Sequence, residues 1–263
     1  MRIGLFSDVH YCRETVQEGN RRCALSFEKL KYALSDFQKR DISLLICMGD
    51  LCDVSLTGDA QENRMCLTRI MHEIRASGLD FLFITGNHDC LVAPVDELSR
   101  MIGQELAPKI VDTPEYRLIC LDANFSSDGT HYDPAGFDWR DTNVPSDQLA
   151  FLKQSLADSD RECIVLIHEP VDSAPEECYR VNNAAEVRNI LEASGKVKLV
   201  LQGHMHEYSD IVENGIRYMT VVGMCEGTDN YYMVLTKTGS VCQLEVIHIP
   251  ESEMSAKPQE NSL

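Results

Sequence analysis

The sequence predicts an α/β sandwich in which helices cover one mixed sheet or two sheets, and three observations predict it. Short apolar runs alternate with amphipathic helical segments as far as Leu201, the pattern of strands linked by helices. Beyond that point the pattern changes to two antiparallel hairpins, which adds antiparallel strands to a parallel arrangement. The chain has 263 residues, of which 44% are hydrophobic, enough to bury a substantial core. With no repeat, low-complexity stretch or linker, residues 1–250 read as a single domain. Residues 251–263 read as a polar, disordered tail.

Taken in order, Ile3 to Phe6 is a strand candidate. Arg21 to Lys39 has helical spacing, with Ala24, Phe27, Leu30, Leu34 and Phe37 on an apolar stripe. Ile42 to Met48 is a second strand, Glu62 to Ala76 a second helix, and Phe81 to Thr85 a third strand closed by glycine. Val95 to Met101 is a short helix and Tyr116 to Leu121 a strand. Asn124 to Pro145 lacks periodicity and is rich in Asp, Gly, Ser and Pro, a loop long enough to point to function or mobility. Ser146 is placed as the N-cap of a helix running to Leu156. Cys163 to Ile167 and Val197 to Leu201 are strands flanking a helix, Ala184 to Ala193. One hairpin turns at Asn214-Gly215 and a second around Thr238-Gly239.

Composition excludes some partners. Lys plus Arg is 24 against 42 Asp plus Glu, a formal charge of −18, which disfavours duplex nucleic acid and anionic membrane surfaces. A small anionic substrate would need a local positive centre. No apolar run reaches the length of a membrane span or a signal-peptide core. The 11 cysteines are scattered, odd in number and without a CxxC pair, as expected of reduced thiols in a cytoplasm. Cys12, Cys52 and Cys90 each lie within two residues of a polar strand-end cluster, so an oxidation-sensitive thiol near the site is one expectation; small buried filler is the plainer one.

Five apolar runs end in metal-type donors: Asp8-Val9-His10, Gly49-Asp50 with Asp53, Gly86-Asn87-His88-Asp89, His168, and Gly203-His204-Met205-His206. In open α/β sheets ligands bind beyond the carboxyl ends of strands. Residues two apart in extended chain face one side, so Asp8 with His10 and His204 with His206 can each aim at one place. Asp50, Asn87 and His204 follow glycine, which permits a tight turn over the sheet edge. Imidazoles, carboxylates and one amide oxygen suit Mn²⁺, Fe²⁺, Zn²⁺ or Co²⁺ better than Ca²⁺. Seven donors exceed the needs of one ion. Two ions roughly 3.5–4 Å apart with a shared carboxylate would use the set and clamp a phosphoryl group. Two divalent charges would also let an acidic protein attract phosphate.

These five ordered blocks, spanning residues 8 to 206, resemble the calcineurin-like metallophosphoesterase superfamily. The resemblance implies a four-layer αββα sandwich with the dimetal site at strand ends. It implies a first metal on Asp8, His10, Asp50 and His206, and a second on Asp50, Asn87, His168 and His204, with Asp50 bridging. A metal-bridging hydroxide would attack phosphorus, and His88 would contact or protonate the leaving oxygen. Asp89 is expected to orient His88 or a metal ligand, and Asp53 is a further candidate for such support. Within the superfamily, Cys52-Asp53-Val54 departs from the Asp-Arg-Gly of protein phosphatases. Asp53 stands where purple acid phosphatases carry tyrosine, and His88 where lipid-precursor hydrolases carry Arg. The recombination nucleases add a DNA-binding domain for which this chain lacks length and basic charge. The pattern is most similar to class III cyclic-nucleotide phosphodiesterases and nucleotide-diphosphate hydrolases. The implied substrate is a small phosphodiester or diphosphate, with phosphomonoesterase activity as the alternative and a non-catalytic scaffold third. His131, Tyr132, Trp139 and Arg140 are candidates for a substrate cap, and Arg13, Arg21 and Arg22 for binding a distal phosphate.

Overall fold

The computed structural model describes residues 1–13, 19–54, 59–238 and 241–254. Two mixed sheets carry the chain. In the first, β1 (Arg2–Phe6), β2 (Leu44–Cys47) and β3 (Phe81–Phe83) run parallel, and β10 (Asn230–Thr238) joins β1 antiparallel with β11 (Val241–Ile249) at the edge. In the second, β5 (Arg117–Cys120), β6 (Cys163–Leu166), β7 (Val197–Gln202) and β9 (Ile216–Thr220) are parallel, edged by antiparallel β4 (Lys109–Asp112) and β8 (Ser209–Glu213). Strand–helix–strand units join β1 to β2, β2 to β3, β5 to β6 and β6 to β7, whereas β9 comes alongside β7 by way of the edge strand β8.

Period-2 alternation divides the apolar residues among three cores, and the cores define four layers. Ile3, Leu5, Ile46 and Met48 of the first sheet meet Leu118, Cys120, Leu166 and Leu201 of the second. On the outer face of the first sheet, Phe6, Cys47 and Phe83 pack against Phe27, Leu30, Phe37, Leu67 and Ile70. Those residues come from α1 (Cys23–Lys39) and α2 (Ala60–Ala76). On the outer face of the second, Ile119, Val165 and Val200 pack against Leu152, Leu156, Val187 and Leu191 of α5 (Ser146–Ala157) and α6 (Ala184–Ser194). The order is therefore helix, sheet, sheet, helix, the sandwich that the alternation and the resemblance both imply. The central parallel strands β1, β2, β5, β6 and β7 are buried on both faces, which is why they read as continuous apolar runs.

Several local expectations change. The edge strand β4 escapes a pattern reading because its four residues alternate only between half-buried and exposed. A one-turn helix, α3 (Asp89–Val92), starts inside the third polar block, followed by α4 (Val95–Ile102). Ser146 is the first residue of α5 and not its cap; Pro145 precedes it and no side chain caps the end. The capping role that a sequence pattern looks for is instead filled on α2, where the Asp59 carboxylate accepts from the Gln61 and Glu62 N–H groups. Asn214 and Gly215 both have positive φ, 49° and 81°, as a two-residue hairpin turn requires. β10 and β11 pair from Asn230–Ile249 to Thr238–Val241, with Gly239 outside the described residues. Contrary to the expected disorder from residue 251, Glu251–Met254 forms a short helix, α7; the rest of that tail lies outside the described residues.

Candidate metal centre

The carboxyl ends of β1, β2 and β3 from one sheet and β6 and β7 from the other point to the same edge of the sandwich, and each delivers one polar block there. The chain turns sharply at these ends. Among the described residues, seven non-glycine residues have positive φ, and five of them are donor candidates: Asp8 (51°), His10 (46°), Asp50 (55°), His204 (69°) and His206 (59°). Such conformations cost of order 1–3 kcal/mol each and gather where function over-determines the backbone. The flanking glycines divide: Gly49 has the positive φ (112°) expected of a tight turn, and the other two do a different job. Gly86 and Gly203 do not have positive φ; a Cβ on Gly86 would lie 2.2 Å from Asp50 Oδ1, and one on Gly203 2.4 Å from Ser7 Oγ. They are needed for close approach, while the donors themselves carry the turn.

Backbone bonds lock the ends together. Asp8 N–H donates to Gly49 O (3.0 Å), His10 N–H to Asp50 O (2.9 Å) and Gly203 N–H to His168 O (2.9 Å). Asp89, fully buried, accepts from the N–H groups of Asp50 (2.8 Å), Leu51 (2.9 Å) and Gly86 (3.0 Å). It thus orients the backbone of a donor and makes no contact with the His88 ring. Burial, with the Asp50 charge beside it, pushes its carboxyl up to about 7 against the pull of those N–H donors. The side chain holding His88 is Asp53, whose Oδ1 lies 2.9 Å from His88 Nδ1. Burial opposes its charge, but His10 and His88 hold Asp53 well below the usual carboxylate range.

The donors fall into two half-sites around one oxygen. Asp50 Oδ2 is 3.4 Å from His10 Nε2 and 3.3 Å from His168 Nε2. On the His10 side, His206 Nε2 lies 3.1 Å from His10 Nε2 and 3.4 Å from Asp8 Oδ1. On the His168 side, His204 Nδ1 faces Asn87 Oδ1 at 3.1 Å. The second carboxylate oxygens are occupied elsewhere: Asp50 Oδ1 accepts the His88 N–H (2.8 Å), and Asp8 Oδ2 accepts from Ser7 Oγ and from the His204 N–H (3.2 Å). Tautomers are set from behind. His168 Nδ1 donates to Met48 O (2.5 Å) and His206 Nδ1 to Glu226 Oε1 (2.8 Å), which turns both Nε2 lone pairs inward.

This arrangement fits divalent cations. Asp8 Oδ1 and His168 Nε2 are buried with no hydrogen-bond partner, and two imidazole Nε2 atoms face each other. Buried polar atoms are otherwise paired, so lone pairs converging on one space call for a cation. Burial, then His168, pushes His204 down to about 3, keeping that ring neutral as a metal ligand must be. Against the effect of burial, Asp8, Cys225 and Glu226 push His206 up to about 12. Two of the metal-type groupings, His10-Asp50-His88 and Asp50-His168-His204, share Asp50. All seven ligand candidates therefore meet at one place.

Four of the donors, Asp50, Asn87, His204 and His206, floor a cavity of about 430 Å³ lined also by His88, Arg21, Trp139, Arg140 and Tyr179. Of the proposed cap, Trp139 and Arg140 reach it. His131 turns instead to Asp122 (3.0 Å), and buried Tyr132 donates to Asp141 O (2.9 Å). Of the three arginines, Arg21 reaches the cavity and pairs with Asp53 Oδ2 (3.4 Å), whereas Arg13 pairs with Glu62 and Arg22 with a backbone carbonyl. A thiol that lies against the site without adjoining one of the blocks is Cys225, 3.4 Å from His206 Nδ1, while Cys90, next to the third block, donates to Gly86 O (3.7 Å). Cys225, Glu226 and Tyr179 carry no sequence signal; only the fold brings them in.

Comparisons with known proteins bear on the family and the fold. A probable cyclic nucleotide phosphodiesterase of Fibrobacter succinogenes is 28% identical over 229 residues, 84% of this chain and 78% of that protein. A 3',5'-cyclic-nucleotide phosphodiesterase of Nostoc sp. is 24% identical over 188 residues, 70% of this chain and 64% of the other, just under two thirds of its length. A dimetal phosphatase from Danio rerio has the same fold, with a TM-score of 0.81 at 18% identity over 95% of this chain and 98% of that one. The model of the calcineurin-like phosphoesterase family matches residues 1–208, which contain every donor described above, and the chain belongs to that family.

Proposed function

We propose that this protein is a phosphodiesterase, dependent on two divalent metal ions, that hydrolyses a small phosphodiester or nucleotide-diphosphate substrate. The observation that carries the proposal is the shared Asp50 Oδ2 between two complete half-sites, with the Asp53–His88 pair on the rim of the same cavity. Asp8, His10, Asp50 and His206 would hold one ion, and Asp50, Asn87, His168 and His204 the other. The donor mix supports Mn²⁺, Fe²⁺, Zn²⁺ or Co²⁺. When bound, the ions supply an activated water and neutralise the phosphoryl oxygens. The chain's own residues do the rest. Asp53, held anionic, fixes the His88 Nδ1 proton and leaves the other ring nitrogen for the leaving oxygen. Arg21 and Arg140 add the cavity's only side-chain cations besides the imidazoles among its lining residues. Asp89 braces the Asp50 backbone.

Diesters are favoured over monoesters because the cavity extends past the donors to an aromatic wall, with room for a substituent on the phosphate, and because the two curated relatives are named for cyclic nucleotides. Eleven cysteines in a chain without a disulfide pattern support work in a cytoplasm. No described helix is long and apolar enough to cross a membrane. The test is hydrolysis by metal-stripped protein reconstituted with Mn²⁺. Its panel is bis(p-nitrophenyl) phosphate, p-nitrophenyl phosphate, 2′,3′- and 3′,5′-cyclic nucleotides and ADP-ribose. Activity on diesters or diphosphates supports the proposal. Activity on the monoester alone replaces it with a phosphomonoesterase, and silence with both metals bound replaces it with a scaffold.

A further inference from the structure

Two large aromatic rings stand beside the metal centre and belong to none of the three apolar cores. Trp139 comes from the long loop after β5, and Tyr179 from a 3-10 turn (Glu177–Tyr179) between β6 and α6. Their centroids are 5.4 Å apart with the planes at 33°, and they lie 5.7 Å and 6.3 Å from the ring of His204. The three rings form one continuous wall with a metal-ligand candidate at its foot. Tyr179 is 37% exposed, and exposed aromatic surface at a cavity mouth is more economically explained by a ligand than by packing.

The wall is held rigidly. Tyr132 stacks on Phe137 at 3.8 Å with planes 2° apart, just before Trp139. The Asn182 N–H donates to Thr142 O (2.8 Å) and its side chain to Asp141 Oδ1 (3.0 Å), tying the Trp139 loop to the segment that carries Tyr179. Over the indole, 4.5 Å from its centre, lies the guanidinium of Arg140. That arginine is 60% exposed and 4.0 Å from its acidic neighbour Asp138, so it is loosely held. It can cover a planar group laid on the wall or meet an anion beside it.

Resting on the reading that the centre holds a phosphoryl group on metals, we propose that Trp139 and Tyr179 form a stacking subsite for a nucleobase, which makes the substrate a nucleotide. The chemistry sets the class: a phosphate anchored at the donors and, a sugar's length away, a flat π surface. Stacking is tolerant of base identity, so the subsite selects nucleotides over other phosphates without choosing among bases.

Trp139 is the single tryptophan of the chain, so indole emission reports on this wall alone. The experiment titrates the Mn²⁺-loaded full chain with AMP and with ribose 5-phosphate, following emission and, in parallel, inhibition of bis(p-nitrophenyl) phosphate hydrolysis. AMP quenches the emission saturably, ribose 5-phosphate does not, and AMP is the tighter inhibitor. Tyr179→Ala and Trp139→Ala weaken AMP by about 5- to 150-fold, the range set by loss of base stacking, with the inhibition constant for ribose 5-phosphate moving less than about twofold. Trp139→Phe restores most of the AMP affinity. Equal effects of AMP and ribose 5-phosphate on emission, or variants that weaken both ligands alike, overturn the subsite. The emission titration needs no turnover, so an inactive protein that still shows base-dependent quenching would sink the phosphodiesterase reading and leave the nucleotide subsite standing.

Discussion

Replacing Asp53 with Asn tests the inferred proton-handling pair without changing the shape of the side chain. Asp53 Oδ1 accepts from His88 Nδ1 at 2.9 Å, and its other oxygen lies 3.4 Å from Arg21 Nη1 and 3.6 Å from His10 Nδ1. A hydrogen bond to a charged group contributes about 1.5–3 kcal/mol and a neutral one about 0.5–1.5, so the substitution removes about 1–2 kcal/mol from the orientation of His88. If that orientation matters in the transition state, kcat falls by roughly 5- to 30-fold. His88→Ala, which removes the ring, lowers kcat by about 10²–10⁴. The informative measurement is the double variant. Because Asp53 acts through His88, Asp53→Asn should cost almost nothing further in the His88→Ala background. Metal content by elemental analysis must stay at the wild-type value in all three variants, since Asp53 also approaches His10. A full additive loss in the double variant, with metals retained, would show that Asp53 acts on something other than His88. Wild-type turnover in His88→Ala would remove the pair from the mechanism altogether.

Three further outcomes follow from the geometry. Asp50→Ala should lose both metals, because Oδ2 lies between His10 Nε2 (3.4 Å) and His168 Nε2 (3.3 Å), closer to both than Asp8 Oδ1 does (3.7 and 4.0 Å); undiminished metal content would contradict the bridging assignment. Gly86→Ala places a Cβ 2.2 Å from Asp50 Oδ1 and 2.6 Å from its backbone N, so it should cost about 1–3 kcal/mol of stability and displace the bridge. Wild-type melting and metal content together would refute that. Lys29→Met strips the donor from the carbonyls of Met224 (2.9 Å), Glu226 (3.0 Å) and Gly227 (2.8 Å), the segment that presses Glu226 onto His206, and should cost about 1–3 kcal/mol. Burial pushes Lys29 down to about 8 from 10.5, so between those values the unfolded chain carries the extra proton and stability from this group rises with pH. The wild type's advantage over Lys29→Met in urea unfolding should therefore grow over that interval, by up to about 3 kcal/mol; a difference that is flat with pH would show that the lysine is not desolvated as described.

How much of the site the sequence could show depends on whether a residue's role is set by its neighbours in the chain or by its neighbours in space. Every donor sits within a few residues of a buried strand, so an apolar run followed by Asp, Asn or His marks it, and all seven candidates converge. The support around them is marked less sharply. The sequence leaves open whether Asp89 and Asp53 orient His88 or a metal ligand, and the fold divides the two: the chain starts a helical turn at Asp89 and swings that carboxylate back to the backbone of Asp50 and Leu51. The partner of the His88 ring is Asp53, 35 residues away in sequence. Glu226 reaches His206 only because Gly223 and Met224 bond back to the chain at His206 and Ser7. Even where the sequence signal held, its cause differed in part. Glycine before a donor reads as permission for a tight turn, which Gly49 takes up (φ 112°), yet Gly86 and Gly203 are spaces kept clear for Asp50 and Ser7, and Asp8, His10, Asp50, His204 and His206 adopt left-handed backbone themselves. Residues held in that conformation at a cost in stability, with their donor atoms turned to one another, are what the surrounding fold has to over-determine, and that support comes from side chains distant in sequence, Asp53 behind His88 and Glu226 behind His206.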